Sequence, residues 1–156
     1  SDQYIQYIKT WGDTNPEFGN QPAVDAWQSL LDYVQNNDMA IEANYNYVES
    51  QLNIDSLVDY FVLNSYMVNR DWLNWNTSWW RGTNPAGGAL KWRYALWDMD
   101  GVLGHYTNYT GIPDPTDNAD PCQVEDLSVG VGHAKKIKKL VNLLQDSIWT
   151  KTKKEK

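Results

Sequence analysis

Four oxygen-bearing side chains stand out by type and spacing. Asp71 and Asn76 lie in Asn69-Arg70-Asp71-Trp72-Leu73-Asn74-Trp75-Asn76, and Asp98 and Asp100 lie in Trp97-Asp98-Met99-Asp100-Gly101-Val102-Leu103-Gly104. Three carboxylates and an amide oxygen are hard donors suited to Mg²⁺ or Mn²⁺. Gathered without a cation they would repel one another, so a metal or a cationic partner is expected where they meet. Asp and Asn also collect at hairpin ends as turn formers, and any one of the four taken singly fits that plainer role.

The elements between and before the two motifs must position them. Asn76 to Arg81 and Leu90 to Trp97 are rich in Trp and Tyr with polar residues interleaved, and Asn84-Pro85-Ala86-Gly87-Gly88 separates them. That pattern predicts a β-hairpin with a long loop. A hairpin returns the chain on itself, so Asp71, Asn76, Asp98 and Asp100 should converge at its outer ends. Upstream, residues 13–21 read as a loop rich in Asp, Asn, Pro and Gly. From Ala23 the period turns helical, with Val24, Trp27, Leu30, Leu31 and Val34 on one face and Pro22 in the first turn. A second helix is expected from Met39 to Gln51. The third places Ile54, Leu57, Val58, Phe61, Val62 and Ser65 on one stripe, with Asn53 as N-cap and an end near Val68. Residues 104–131, with Pro113, Pro115 and Pro121, read as a long irregular loop. A last helix, from about His133 to Ile148, presents Ile137, Leu140, Val141 and Leu144. The fold class is α+β: helices, a Trp-rich β-hairpin, a long irregular loop and a C-terminal helix. The expected domain is 1–149, followed by a solvated basic tail at 150–156.

Composition narrows the function. The chain has 156 residues, 42% of them hydrophobic, which suits one modest domain and excludes a disordered tail. No apolar run approaches the ~18 residues of a membrane helix. The lone Cys122 excludes a disulfide framework and a cysteine-based zinc site. There are 9 Trp and 10 Tyr against 2 Phe, and their polar handles predict wet aromatic surfaces or an aromatic-lined cleft. Alternating hairpin tryptophans are expected against the third helix, with the others free to stack on a ring. Residues 1–134 hold 5 of the 13 basic residues and 18 of the 20 acidic ones. A field of that sign repels nucleic acid and anionic membranes, and suits a cation or a basic peptide. No secretory leader is evident at Ser1-Asp2-Gln3, and two sequons, at Asn76 and Asn108, give weak support to a secretory route. His105 and His133 are isolated and read as structural.

The spacing of the acidic motifs carries more information than their composition. Asp71 and Asn76 are five apart, as are the proton-accepting Asp and metal-binding Asn of the protein-kinase catalytic loop. A second acidic motif follows, as the metal-binding Asp does in kinases. Tyr60-Phe61-Val62-Leu63-Asn64, Asn69-Arg70-Asp71 with Asn76, Lys91-Trp92-Arg93-Tyr94 and Trp97-Asp98-Met99-Asp100 with Gly104 together resemble the CotH family, the atypical kinases similar to spore coat protein H. The W-D-x-D-x-x-F-G signature is matched at Trp97, Asp98, Asp100 and Gly104, with Leu103 in place of Phe. The likeness is best over residues 53–104 and weaker over 23–52 and 132–148.

The resemblance implies a partial atypical kinase-like fold and phosphoryl transfer from ATP, with Mg²⁺ or Mn²⁺, to a Ser or Thr hydroxyl of a protein. Asp71 would then be the catalytic aspartate. Asn76 would take the metal-binding asparagine position, Asp98 would be the principal metal ligand at the ATP phosphates, and Asp100 a second ligand or its support. A secreted, cell-surface or spore-coat location goes with the family. The chain departs from a complete kinase in having no G-x-G-x-x-G, no P-loop and only Lys9 as a lysine before Asp71. A nucleotide-binding N-terminal lobe of the same protein is therefore expected upstream, making this chain a fragment that covers the metal-binding half. A glycan at the Asn76 sequon would block its metal role. Two rival readings stay open. One is a carbohydrate- or cell-surface-binding module with structural Ca²⁺; the other is an inactive scaffold of the same family.

Overall fold

The structure, a computed structural model, describes residues 2–11, 13–67, 69, 75–100 and 102. Among these, three helices pack against a four-stranded antiparallel sheet, an α+β arrangement. The strands are β1 (Ile5–Trp11), β2 (Asp13–Phe18), β3 (Trp75–Gly82) and β4 (Arg93–Leu96), in the order β2-β1-β3-β4. The helices are α1 (Asn20–Asn36), α2 (Glu42–Gln51) and α3 (Ile54–Tyr66).

The β3–β4 hairpin forms as its alternation demands. Thr77, Ser78, Trp79 and Trp80 pair with Leu96, Ala95, Tyr94 and Arg93. In the connecting turn the Ala86 N–H donates to Asn84 Oδ1 at 3.0 Å, the Asn side chain imitating a backbone turn. β1 pairs with β3 from Ile5↔Gly82 to Trp11↔Trp75, so the N-terminal strand occupies the middle of the sheet. The loop expected over 13–21 is instead largely strand. All six residues of β2 are exposed, and the strand exists because β1 offers it a partner. Pro16 is tolerated there because β2 is an edge strand, where a missing N–H breaks no inner ladder. Gly19 then turns the chain into α1 with φ of 90°. A Cβ at Gly19 would stand 2.8 Å from Gln6 Cγ, so both the dihedral and the space require glycine.

Trp27, Leu30, Leu31 and Val34 are buried on α1 as their spacing predicts, and Ala23 joins them. Trp27 is the hub of the core. Its ring lies 4.7 Å from Trp79, 5.4 Å from Trp92 and 6.1 Å from Tyr94, separations at which aromatic pairs add to plain burial. Tyr94 continues the chain of rings to Tyr60 on α3 at 4.9 Å. Trp27, Trp79, Trp92 and Tyr94 are all buried, whereas Tyr4, Phe18, Tyr47 and Tyr66 are exposed, so the aromatic residues divide between a dry core and the surface. Two of the hairpin tryptophans, Trp79 and Trp92, pack on Trp27 of α1, a helix that the expectation did not name.

α3 starts where the Asn53 cap places it: Asn53 Oδ1 accepts the Ser56 N–H at 2.7 Å. It ends at Tyr66, two residues short of the expected end. Its core stripe is also rotated from the expected one. Leu57, Tyr60 and Asn64 are buried, while Val62 is 60% exposed. The rotation follows from polar partners inside. The Tyr60 hydroxyl lies 3.4 Å from Thr77 Oγ1, and the Asn64 amide donates to the Tyr60 carbonyl. The Gln51–Asn53 junction is stitched to the start of β4. Trp92 N donates to the Gln51 carbonyl at 2.7 Å, and Asn53 N donates to the Trp92 carbonyl at 2.8 Å. The irregular segment 104–131, the helix expected over 133–148 and the tail at 150–156 lie outside the described residues.

Candidate functional site

The last pair of the β3–β4 hairpin is Thr77↔Leu96. Asn76 and Trp97 come next on the two strands, at one end of the ribbon, and Asp98 follows. On its other side β3 breaks register at this point. Thr10 faces Thr77 but Trp11 faces Trp75, leaving Asn76 as an extra residue in a bulge. Bulges of this kind occur beside active sites, where they re-aim a side chain. Asn76 has φ of 54° and Asp98 has φ of 53°. Asn and Asp accept this left-handed backbone better than other non-glycine residues, whereas a β-branched residue would be strained in it. Asn76 is buried at 4% exposure. Asp98 and Asp100 are exposed, with Met99 half-buried between them.

A buried amide pair connects the end of α3 to this corner. Asn64 is fully buried and Asn69 is 3% exposed. Asn69 Nδ2 donates to Asn64 Oδ1 at 2.7 Å, and the Asn69 backbone N–H donates to the Asn64 carbonyl at 3.0 Å. The same Nδ2 lies 3.6 Å from Met99 Sδ, a weak hydrogen bond to sulfur. Asn69 Oδ1 is buried and accepts no hydrogen bond among the described residues. Sequence reasoning gave neither Asn64 nor Asn69 a role of its own. The sequence offered no signal for them, because the apolar stripe expected for α3 did not include Asn64.

The charges divide unevenly. Lys9 Nζ pairs with Glu17 at 2.8 Å and lies 4.7 Å from the centre of the Trp97 ring. Its hydrogen bond to Glu17 raises the ammonium above its ordinary pKa. On the same ribbon, Arg81 donates from Nε to Gln6 Oε1 at 2.7 Å and covers the Trp92 ring, where burial lowers its guanidinium pKa. Asp98 and Asp100 have no ion-pair partner among the described residues. Among the described residues no three His, Cys, Asp or Glu side chains gather there; Asp71, Arg70, Leu103, Gly104, His105, Cys122 and His133 lie outside the described residues. Two carboxylates and an amide carry oxygen donors of the type that Mg²⁺ or Mn²⁺ takes. A cavity of about 290 Å³ between α3 and β4 is lined by Ser56, Asp59, Tyr60, Leu63, Tyr94 and Leu96, and Asn76, Asp98 and Asp100 are not among its lining residues.

The sequence model of one protein family, described as CotH kinase protein, matches residues 3–151, nearly the whole chain. No curated protein and no solved structure matches it. Among the described residues no helix is long and apolar enough to cross a membrane.

Proposed function

Because the chain belongs to the CotH kinase family, we propose that its full-length protein transfers the γ-phosphoryl group of ATP to a Ser or Thr hydroxyl of a protein, with Mg²⁺ or Mn²⁺. The chain carries the metal-binding and catalytic residues. Asp71 orients the acceptor hydroxyl and takes its proton. Asn76, Asp98 and Asp100 hold the cation, which when bound neutralises charge developing on the phosphoryl oxygens. The acidic field of residues 1–134 favours a basic acceptor segment. The domain runs over 1–149, with 150–156 as its basic tail. A secreted or spore-coat setting accords with the family.

One observation supports this reading most: Asn76 and Asp98 share one end of the β3–β4 ribbon, each on left-handed backbone. Such backbone is retained where surroundings over-determine it, often at functional sites. Burial withdraws Trp79 and Trp92 from stacking on a ligand, which leaves the sugar-binding alternative to tryptophans such as the half-buried Trp80 and Trp97. The test is labelled phosphate transfer by the full-length protein with Mg²⁺. Asp71→Ala and Asp98→Ala should each lower the rate by at least about a hundredfold without unfolding the protein. A wild-type protein that fails to bind Mg²⁺-ATP by calorimetry, or an Asp71→Ala variant that transfers at the wild-type rate, refutes the reading. Binding of Mg²⁺-ATP without transfer to any protein would identify an inactive scaffold.

A further inference from the structure

The cavity between α3 and β4 combines apolar walls with one negative charge. Leu63, Leu96, Tyr60 and Tyr94 supply the apolar lining, Ser56 and Asp59 the polar lining. Asp59 is the charged residue of that lining; it is exposed and has no ion-pair partner among the described residues. Its carboxylate can only accept hydrogen bonds. Ser56 Oγ accepts the Tyr94 N–H at 2.7 Å and keeps a second lone pair. At about 290 Å³ the space is at the small end of ligand cavities, the scale of one long side chain.

The surroundings point to a protein occupant. Val62, Leu63 and Tyr66 follow Asp59 by three, four and seven residues, the spacing of one helix face, and all three are exposed. Leu96 is exposed on the β4 side. This apolar strip extends beyond the cavity and offers more surface than a free amine could cover. Lysine and arginine lay an alkyl stem on apolar surface and carry a cation at its end. We propose that the cavity takes the lysine or arginine side chain of a protein segment lying along α3, with the cation at Asp59 and the stem between Leu63 and Leu96. Leu96 precedes Asp98 by two residues, so their Cα atoms are at most about 7 Å apart. The segment is thereby held near the corner of Asn76 and Asp98, and it belongs to the acceptor protein of the reaction proposed above. The acceptor role rests on the phosphoryl-transfer reading; the binding does not.

The test is fluorescence anisotropy on the full-length protein with a labelled, serine-containing hexapeptide that carries one arginine beside a leucine. Its counterpart carries citrulline, the uncharged isostere of arginine, so this comparison needs no variant. The arginine peptide should bind about fivefold more tightly, the upper end for an ion pair at an exposed carboxylate. Asp59→Asn should remove that preference. Asp55→Asn makes the same charge change on the same helix but outside the lining, and should leave the affinity within twofold. No binding of either peptide, equal binding of both, or equal losses in Asp59→Asn and Asp55→Asn overturns the proposal. Ethylguanidine that competes as well as the unlabelled peptide overturns the protein occupant. Phosphate transfer to the arginine peptide then reads the acceptor role: Asp59→Asn should raise KM by about fivefold, and an unchanged KM overturns that role. Selective binding without any transfer supports the cavity assignment and counts against the phosphotransferase reading instead.

Discussion

Replacement of Asp98 by Gly and by Ala separates its backbone from its charge. Both variants remove the carboxylate equally, so their difference sets the φ of 53° against the greater freedom of glycine in the unfolded chain. Alanine in left-handed backbone is penalised by about 1–2 kcal/mol relative to its ordinary conformations. Glycine escapes that penalty but loses about 0.4–1 kcal/mol through the greater freedom of its unfolded chain. The balance favours glycine by about 0.5–1 kcal/mol, or ~1–4 °C in Tm for a domain of this size. At an ordinary backbone position the sign is reversed, and alanine is the more stable by about 0.4–1 kcal/mol. Asp98→Asn serves as a control, since it removes the charge and keeps a residue that tolerates this conformation. The assay is urea unfolding in chelator, so that metal binding does not add to the stability of one variant alone. An Asp98→Ala protein more stable than Asp98→Gly would refute the left-handed assignment, and with it the argument that this corner is held in a special geometry.

Two further predictions concern the core that carries the site. Trp27→Ala removes the ring at the centre of the Trp79, Trp92 and Tyr94 cluster, and should destabilise by about 3–5 kcal/mol. A loss below ~1 kcal/mol in thermal unfolding would mean that the hub is elsewhere. Burial raises the Tyr94 phenol well above its ordinary pKa, so the folded state keeps a proton that the unfolded chain gives up near pH 10. Its stabilising contribution is complete below pH 10 and falls above it by about 1.4 kcal/mol per pH unit. Tyr45 is shifted the same way by burial and by Glu49 and Asp55. Tyr94→Phe should flatten the alkaline slope of stability measured by urea unfolding between pH 8 and 11, and an unchanged slope would contradict the burial of the hydroxyl.

The sequence was most legible where local signals and burial agree. α1 repeats its apolar residues at helical spacing, α3 carries an Asn cap at Asn53, and the β3–β4 hairpin alternates around an Asn-Pro-Ala-Gly-Gly turn. It was least legible where a strand is made by its partner rather than by its own residues. The β2 residues Asp13, Thr14, Asn15, Pro16 and Glu17 have turn chemistry, and only β1 beside them makes a strand. The face of α3 was misjudged because hydrophobicity favoured Val62, whereas Tyr60 and Asn64 find partners inside. At the site, residue types and spacing singled out Asn76, Asp98 and Asp100. The left-handed backbone of Asn76 and Asp98 could not be read, since Asn and Asp occupy ordinary conformations far more often. The Asn64–Asn69 pair was hidden for a related reason, because an amide in a sequence does not declare whether it faces water.

The central position of β1 has a consequence for how the molecule assembles. Its partners on β3 are distant in the chain, with Ile5 opposite Gly82 and Trp11 opposite Trp75. Closing a segment that long is entropically unfavourable before the contacts that reward it exist, and topologies built this way fold slowly. During synthesis β1 and β2 emerge early and must wait for β3 to leave the ribosome. The bulge at Asn76 belongs to that late seam, so the corner that carries the proposed cation site should take shape only at the final step of folding rather than in any helical intermediate.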